Sequence, residues 1–206
     1  ALGILLQYRS VVADRHVRSV PLMAAPEFVA GKPVMGFIGA GNYASRMLIP
    51  AFKAAGAQFH TIATAGGING VIHGEKAGFA EASTDVDAML ADEQVNTVAI
   101  VTRHDSHARF VCQALHAGKH VFVEKPLAIN PDELAEVREA HEQAHGAHLM
   151  VGFNRRFSPQ VQKMKALLAP VAEPKSFIMT MNAGAIPASH WTQDPQVGGG
   201  RIIGEA

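Results

Sequence analysis

An apolar run, a glycine turn and a helix start in direct succession constrain this chain more than any other feature. Residues 34–44 read VMGFIGAGNYA. Five residues suited to a strand covered on both faces lead into Gly39-Ala40-Gly41, and Asn42, Tyr43 and Ala44 open a helical pattern. The spacing is G-x-G-x-x-[G/A]. Its first glycine makes the tight turn, its second lets backbone approach a pyrophosphate, and a small third residue lets helix and strand pack closely. Free N–H groups and a partial positive charge at the helix start then favour phosphate. Gly39, Gly41, Asn42, Tyr43 and Ala44 are therefore the candidate dinucleotide contacts. Glycine-rich turns of this kind also occur without a ligand, so the elements around the turn decide its meaning.

Those elements alternate. Strands are expected at 34–38, 58–63, 97–101, 120–124 and 148–153, with helices at about 42–55, 70–77, 85–91, 105–117 and 131–145. The last helix has the clearest start, with Asn130 as N-cap, Pro131 at the first helical position and Asp132 and Glu133 in the first turn. Alternation of this kind predicts an α/β fold, a Rossmann-type doubly wound parallel sheet with helices on both faces. After Phe153 the pattern changes to a helix at 158–168, a longer strand in KSFIMTMNAGAI and a loop rich in Pro, His, Trp and Gly. This reads as the truncated start of an α+β antiparallel-sheet domain. The expected organisation is a preamble at 1–32 (a strand or two plus linker), a dinucleotide-binding domain at 33–155 and an incomplete substrate or oligomerisation domain at 156–206.

Composition narrows the classes. Of 206 residues, 48% are hydrophobic and 17% charged, which is globular rather than disordered. Eighteen basic residues balance eighteen acidic ones, so neither nucleic acid nor an anionic membrane is an expected partner. The single cysteine, Cys112, excludes an internal disulfide, fits a reducing, cytoplasmic compartment, and sits in an apolar pattern as a core residue. No apolar run approaches the roughly 18 residues of a membrane-spanning helix. The chain starts without methionine and stops after GGGRIIGEA, so both ends read as cut.

The strand HVFVE ends on Glu124-Lys125-Pro126, an acid, an amine and a ring that fixes the backbone. A strand-end lysine alone is usually just solvated. Lys125 lies instead at the C-terminal end of a parallel strand, where such folds bind ligands. The end of the second strand selects between NAD and NADP, an acid holding ribose hydroxyls and an arginine a 2′-phosphate. Thr64 stands there, so neither signal is present.

GAGNYA, TRHDSHARFVCQALHAGKHVFVEKPLA and VGFNRRFSP together resemble the glucose–fructose oxidoreductase / inositol dehydrogenase (Gfo/Idh/MocA) family over about residues 34–157. The resemblance implies a Rossmann domain followed by an open antiparallel-sheet domain, with NAD or NADP as cofactor and the substrate between them. It implies that Lys125 contacts the reacting hydroxyl or carbonyl and that Glu124 borders the nicotinamide pocket. Thr102, Arg103, His104 and His107 match the family's T-P-N-x-x-H segment near the cofactor, with Arg103-His104 in place of Pro-Asn. A second acid–base group, a histidine with an aspartate four residues before it, follows the glycine cluster in the family. Here Gly198-Gly199-Gly200 is present, Gly204 or Glu205 takes the aspartate's approximate place, and the chain stops before the histidine. The flat sheet of the family's second domain also implies a homo-oligomer. The tail NAGAIPASHW…GGGRIIGEA resembles a subgroup fused behind a zinc-alcohol-dehydrogenase-like domain, whose trailing end residues 1–32 would be.

The remaining candidates have ordinary readings beside functional ones. His104 and His107 have metal-ligand spacing but no third ligand in sequence, so no metal is expected. Asn154, Arg155 and Arg156 are a charged hinge or a substrate-facing group. His190 and Trp191 are a sugar-contacting loop or core. The expected function is an NAD(P)-dependent oxidoreductase acting on a sugar, nucleotide-sugar or polyol. The alternative is a non-catalytic dinucleotide-binding sensor or scaffold.

Overall fold

The structure is a computed structural model, described for residues 17–24, 26–182 and 184–205. The apolar run at the chain's start lies outside the described residues. Seven strands form one sheet: β1 (Ser19–Pro21), β2 (Val34–Ile38), β3 (Gln58–Ala63), β4 (Glu81–Ser83), β5 (Thr97–Ile100), β6 (His120–Val123) and β7 (Leu149–Val151). Their order is β1-β4-β3-β2-β5-β6-β7. Only β1 runs antiparallel, at the edge against β4, and the other pairs are parallel. Counted from β2, the parallel strands follow the doubly wound order 3-2-1-4-5-6.

A π-helical segment, Ala44–Leu48, follows the glycine turn and runs into α1 (Ile49–Ala54). The other helices are α2 (Ile68–Ala77), α3 (Val86–Ala91), α4 (His107–His116), α5 (Pro131–Gln143), α6 (Pro159–Leu168) and α7 (Gly200–Glu205). As its sequence foretells, α5 begins at Asn130 as N-cap, and the Glu133 side chain adds a bond of its own. Asn130 Oδ1 accepts from Glu133 N–H at 2.9 Å, and Glu133 Oε2 accepts from Ile129 N–H at 2.9 Å.

Strand alternation sorts the core into two layers. On one face Ile38, Val98, Ile100, Val121 and Val123 pack with Val111 and Leu115 of α4 and Val137 of α5. On the other, Met35, Phe37, Phe59 and Ile62 pack with Ile49 and Phe79. Phe37 stands at its centre, edge-on to Phe52, Phe59 and Phe79. Both faces of the central strands are thus covered, which is why β2, β5 and β6 read as largely apolar runs.

Two expectations need correction. β4 carries no apolar run, and its three residues become a strand only by pairing with β3 on one side and β1 on the other. The long strand expected in KSFIMTMNAGAI is absent from the described residues, which form no sheet pairing there. A strand exists only through a partner, and Ile178 and Met179, 97% and 83% exposed, find none.

Candidate functional site

Parallel strands place their C-terminal ends along one edge of the sheet, and hydrogen bonds beyond the strand ends keep those termini in line. Gly39 N–H donates to Ala63 O at 2.8 Å, Val101 N–H to Ile38 O at 2.9 Å, Glu124 N–H to Ile100 O at 3.0 Å and Gly152 N–H to Val123 O at 2.8 Å. The chain leaves β2 toward β3 and β4 on one side and later fills β5, β6 and β7 on the other. The reversal falls between β2 and β5, the position where open α/β sheets form a ligand crevice.

A cleft of about 980 Å³ opens there. Gly39, Ala40 and Gly41 form its floor, Thr64, Ala65, Gly66 and Asn69 one wall, and Thr102, Arg103, Asp105 and Arg109 another. Gly39 has φ +103°, and a Cβ there would fall 2.5 Å from Val101 O. A Cβ on Gly41 would stand in open space, so its absence leaves backbone bare toward the cleft. This is the cradle that a pyrophosphate needs, and the residues present fit a dinucleotide.

The sequence-derived candidates separate by position. Gly39, Gly41, Thr64, Thr102, Arg103 and Trp191 line the same cleft. Ala44 is buried under the turn, and Asn42 borders a neighbouring groove between α1 and α2. Tyr43 points across the sheet edge, where its hydroxyl accepts from Asn154 Nδ2 at 2.7 Å. Arg156 lies over the Phe157 ring, 4.7 Å from its centroid. His190 caps the 3₁₀ turn Trp191–Gln193, its ring 2.8 Å from the Thr192 hydroxyl.

His107 lies beneath the cleft wall and is fully buried. Its Nδ1 is 2.7 Å from Pro126 O and its Nε2 3.2 Å from Thr102 O. Burial pushes the imidazole pKa below its ordinary value, against the pull of the two carbonyls. A neutral ring has one N–H, and the shorter contact assigns it to Pro126. His107 therefore ties the chain after β5 to the chain after β6.

That second chain carries Glu124 and Lys125, with a cis peptide bond between Lys125 and Pro126. Glu124 is 9% exposed, and burial raises its carboxyl pKa against the opposing effect of the Lys125 N–H and charge. Oε2 accepts from Lys125 N–H at 3.3 Å, while Oε1 is buried without a hydrogen-bond partner. Gly152 makes room for it, since a Cβ there would lie 2.7 Å from Oε1. A buried carboxylate oxygen left unpaired is costly in a structural role and characteristic of a site built for a ligand.

The C-terminal segment closes over this end. Lys125 Nζ donates to Gly204 O, and His104 Nδ1 lies 2.8 Å from Gly198 O. Trp191 meets the His104 ring edge-on at 4.8 Å and the Arg103 guanidinium at 5.7 Å. The Arg103-His104 pair thus serves as the seat of the tryptophan loop. Among the described residues no group of three or more His, Cys, Asp or Glu side chains is arranged to hold a metal, and no helix is long and apolar enough to cross a membrane.

Sequence reasoning missed the walls built by Ala65, Gly66, Asn69, Thr84, Asp105 and Arg109. Their signal is positional: each lies in the loop or first helical turn that follows the C-terminal end of a parallel strand.

Known proteins share this arrangement. D-xylose 1-dehydrogenase (NADP(+)) 2 of Haloferax volcanii is 29% identical over 175 residues, covering 82% of this chain and 53% of that protein. Inositol 2-dehydrogenase of Gluconacetobacter diazotrophicus is 41% identical over 81 residues, 39% of this chain and 24% of its own. Among solved structures, KijD10, a 3-ketoreductase from Actinomadura kijaniata in complex with TDP-benzene and NADP, superposes with a TM-score of 0.62 at 26% identity. That match covers 67% of this chain and 43% of the other. The matches therefore span 24% to 53% of the length of these relatives. The family model for an oxidoreductase family with an NAD-binding Rossmann fold matches residues 34–153, more than half of the chain. With the crevice, the glycine turn and this match in agreement, the chain belongs to the GFO_IDH_MocA oxidoreductase family.

Proposed function

We propose that this chain carries the dinucleotide-binding part of an NAD(P)-dependent oxidoreductase acting on a hydroxyl or carbonyl of a sugar, nucleotide-sugar or polyol. The observation that carries the reading is the pairing of the Gly39 turn and Lys125 along one sheet edge, either side of the β2–β5 reversal. The cofactor supplies or accepts the hydride when bound, which leaves the protein to orient the substrate and move one proton. Gly39, Gly41 and Ala44 shape the phosphate turn, and Thr64, Thr102 and Arg103 bound the space beside it.

Lys125 is the group that meets the substrate oxygen. Its ammonium already spends one donor on a backbone carbonyl, Gly204 O, and keeps others for a ligand. Glu124 borders the nicotinamide end with its unpaired Oε1, and His107 holds the lysine's loop from below. Trp191 and His190 offer an aromatic face and a polar tip to a sugar, and Asn154 and Arg156 stand at the hinge beyond β7. Residues 33–155 form the dinucleotide unit in this reading, and 156–206 open the substrate and oligomerisation region. Residues 1–32 are assigned to the tail of an upstream zinc-alcohol-dehydrogenase-like domain on sequence resemblance, and the parent reading frame tests that assignment.

Calorimetric titration of the 206-residue chain with NAD(H) and NADP(H) tests the cofactor. Binding of at least one is expected, and binding of neither defeats the reading. In the parent protein, Lys125→Ala is expected to lower turnover at least about 100-fold while dinucleotide affinity changes less than about twofold. Unaltered turnover removes the lysine from the mechanism.

A further inference from the structure

The ribose end of the cleft has a chemical bias that the strand-end residue alone does not reveal. A cofactor with a free 2′-hydroxyl is held by a carboxylate at the end of β3. The residues there are Thr64, Ala65 and Gly66, and no acid follows before Asn69. Thr64 Oγ1 is occupied in accepting from Gly67 N–H at 3.1 Å. The acid after β4, Asp85, is turned to other work: Oδ1 accepts from Ala88 N–H at 3.0 Å and Oδ2 faces Arg18 at 3.2 Å. Among the described residues the cleft has one lining carboxylate, Asp105, which shares the wall after β5 with Arg103 and Arg109, so two guanidinium groups stand against one acid there.

Donors outnumber acceptors at this end. The N–H groups of Ala65 and Gly66 make no hydrogen bond among the described residues. A Cβ on Gly66 would meet nothing within 4 Å, so a bulky group has room beside the backbone. Asn69 lines the same wall, and the guanidinium groups of Arg103 and Arg109 line the cleft across from it. Arg103 lies over Trp191, and Arg109 lies over Phe110 at 4.0 Å, so both charges are held on aromatic faces rather than by carboxylates. A dianionic phosphate finds donors and countercharge here, whereas a neutral diol lacks the carboxylate that would accept from both of its hydroxyls.

We propose that the cleft selects NADP(H) over NAD(H). The 2′-phosphate is received by the Ala65 and Gly66 N–H groups and Asn69, with Arg109 as the principal countercharge. This rests on the dinucleotide reading above and names the cofactor of that same site.

The test is calorimetry on the full chain with four probes: NADP(H), NAD(H), adenosine 2′,5′-bisphosphate and adenosine 5′-monophosphate. NADP(H) and the bisphosphate are expected to bind at least about tenfold tighter than their counterparts. Arg109→Ala is expected to weaken NADP(H) and the bisphosphate more than NAD(H) and the 5′-monophosphate, removing most of that advantage. Thr64→Asp, with a far-ultraviolet spectrum unchanged from wild type, is expected to reverse the preference. Equal or tighter NAD(H) binding, or an advantage retained in a folded Arg109→Ala, Asn69→Ala double variant, overturns the proposal and leaves the dinucleotide reading intact. Binding of neither dinucleotide overturns both.

Discussion

Two buried titratable residues belong to the loop that carries Lys125, Glu124 by sequence and His107 through its contact with Pro126, and they respond to pH in opposite senses. Glu124 has a folded pKa above the ordinary 4.5, so the folded chain keeps that proton to higher pH than the unfolded chain. Its contribution to stability is complete below 4.5 and is lost as pH rises through the folded value. Glu124→Gln cannot ionise, so the variant is expected to exceed wild type in urea midpoint at pH 7 and to match it near pH 4. An equal gap at both pH values would remove the burial argument. His107 is the reverse case, with a folded pKa below the ordinary 6.5. Its contribution is complete above 6.5 and is lost as pH falls through the folded value. His107→Leu leaves the Pro126 carbonyl buried without its donor and is expected to cost about 1–3 kcal/mol at pH 7.5. That cost should shrink toward pH 5, where wild type must either charge a buried ring or open. Urea unfolding at both pH values checks it, and a pH-independent cost would mean that His107 acts by packing alone. The sequence could name this histidine but not aim it. T-x-x-x-x-H spacing puts residue 107 at the first turn of α4, and only the packing of α4 on β5 and β6 turns the ring inward to Pro126 rather than outward to the cleft.

Elements were legible in proportion to how much of their cause is local. β2, β5 and β6 are largely apolar runs covered on both faces, so composition marks them, and α5 is marked by Asn130 and Pro131. The glycine turn is equally local, because its residues have one conformational reason each. Gly39→Ala places a Cβ against Val101 O at a positive φ, and is expected to destabilise the chain by about 1–3 kcal/mol. Dinucleotide binding should weaken at least about tenfold, because the turn that presents the following backbone must shift. Thermal unfolding and calorimetry measure both effects, and full affinity in the variant would dissociate the turn from the cofactor. β4 and the cleft wall at Ala65, Gly66 and Asn69 were not legible. Glu-Ala-Ser carries no strand signal, and small residues after a strand acquire meaning only when the sheet order brings them opposite Arg103 and Arg109. KSFIMTMNAGAI gave the opposite error, since its alternation is a strand pattern and the pairing that would complete it is not made among the described residues.

At the scale of the whole molecule, that unmade pairing divides the chain into a covered part and an uncovered one. The parallel sheet and its two helical layers enclose a core of aromatic and branched residues, whereas α6 contributes no buried residue to it. Val161, Met164 and Leu167 recur at helical spacing on α6 and stay exposed, as do Phe177, Ile178 and Met179 farther on. An extended apolar segment with unpaired backbone is a template for another chain, and a contiguous apolar patch seeks cover. Net charge offers no opposition, with eighteen positive and eighteen negative side chains in balance. The 206-residue chain is therefore expected to associate with itself as its concentration rises. Leu167→Lys with Ile178→Lys should suppress this by placing a charge on each surface. Neither residue lines the cleft, so the double variant should bind dinucleotide within about twofold of wild type. Sedimentation velocity over a hundredfold range of concentration separates the outcomes. A wild-type chain that stays monomeric throughout would show that these exposed side chains are tolerated in water, and a double variant that still associates would move the contact to another face, the exposed Met47, Ile68 and Ile72 around α1 and α2 being the next to substitute.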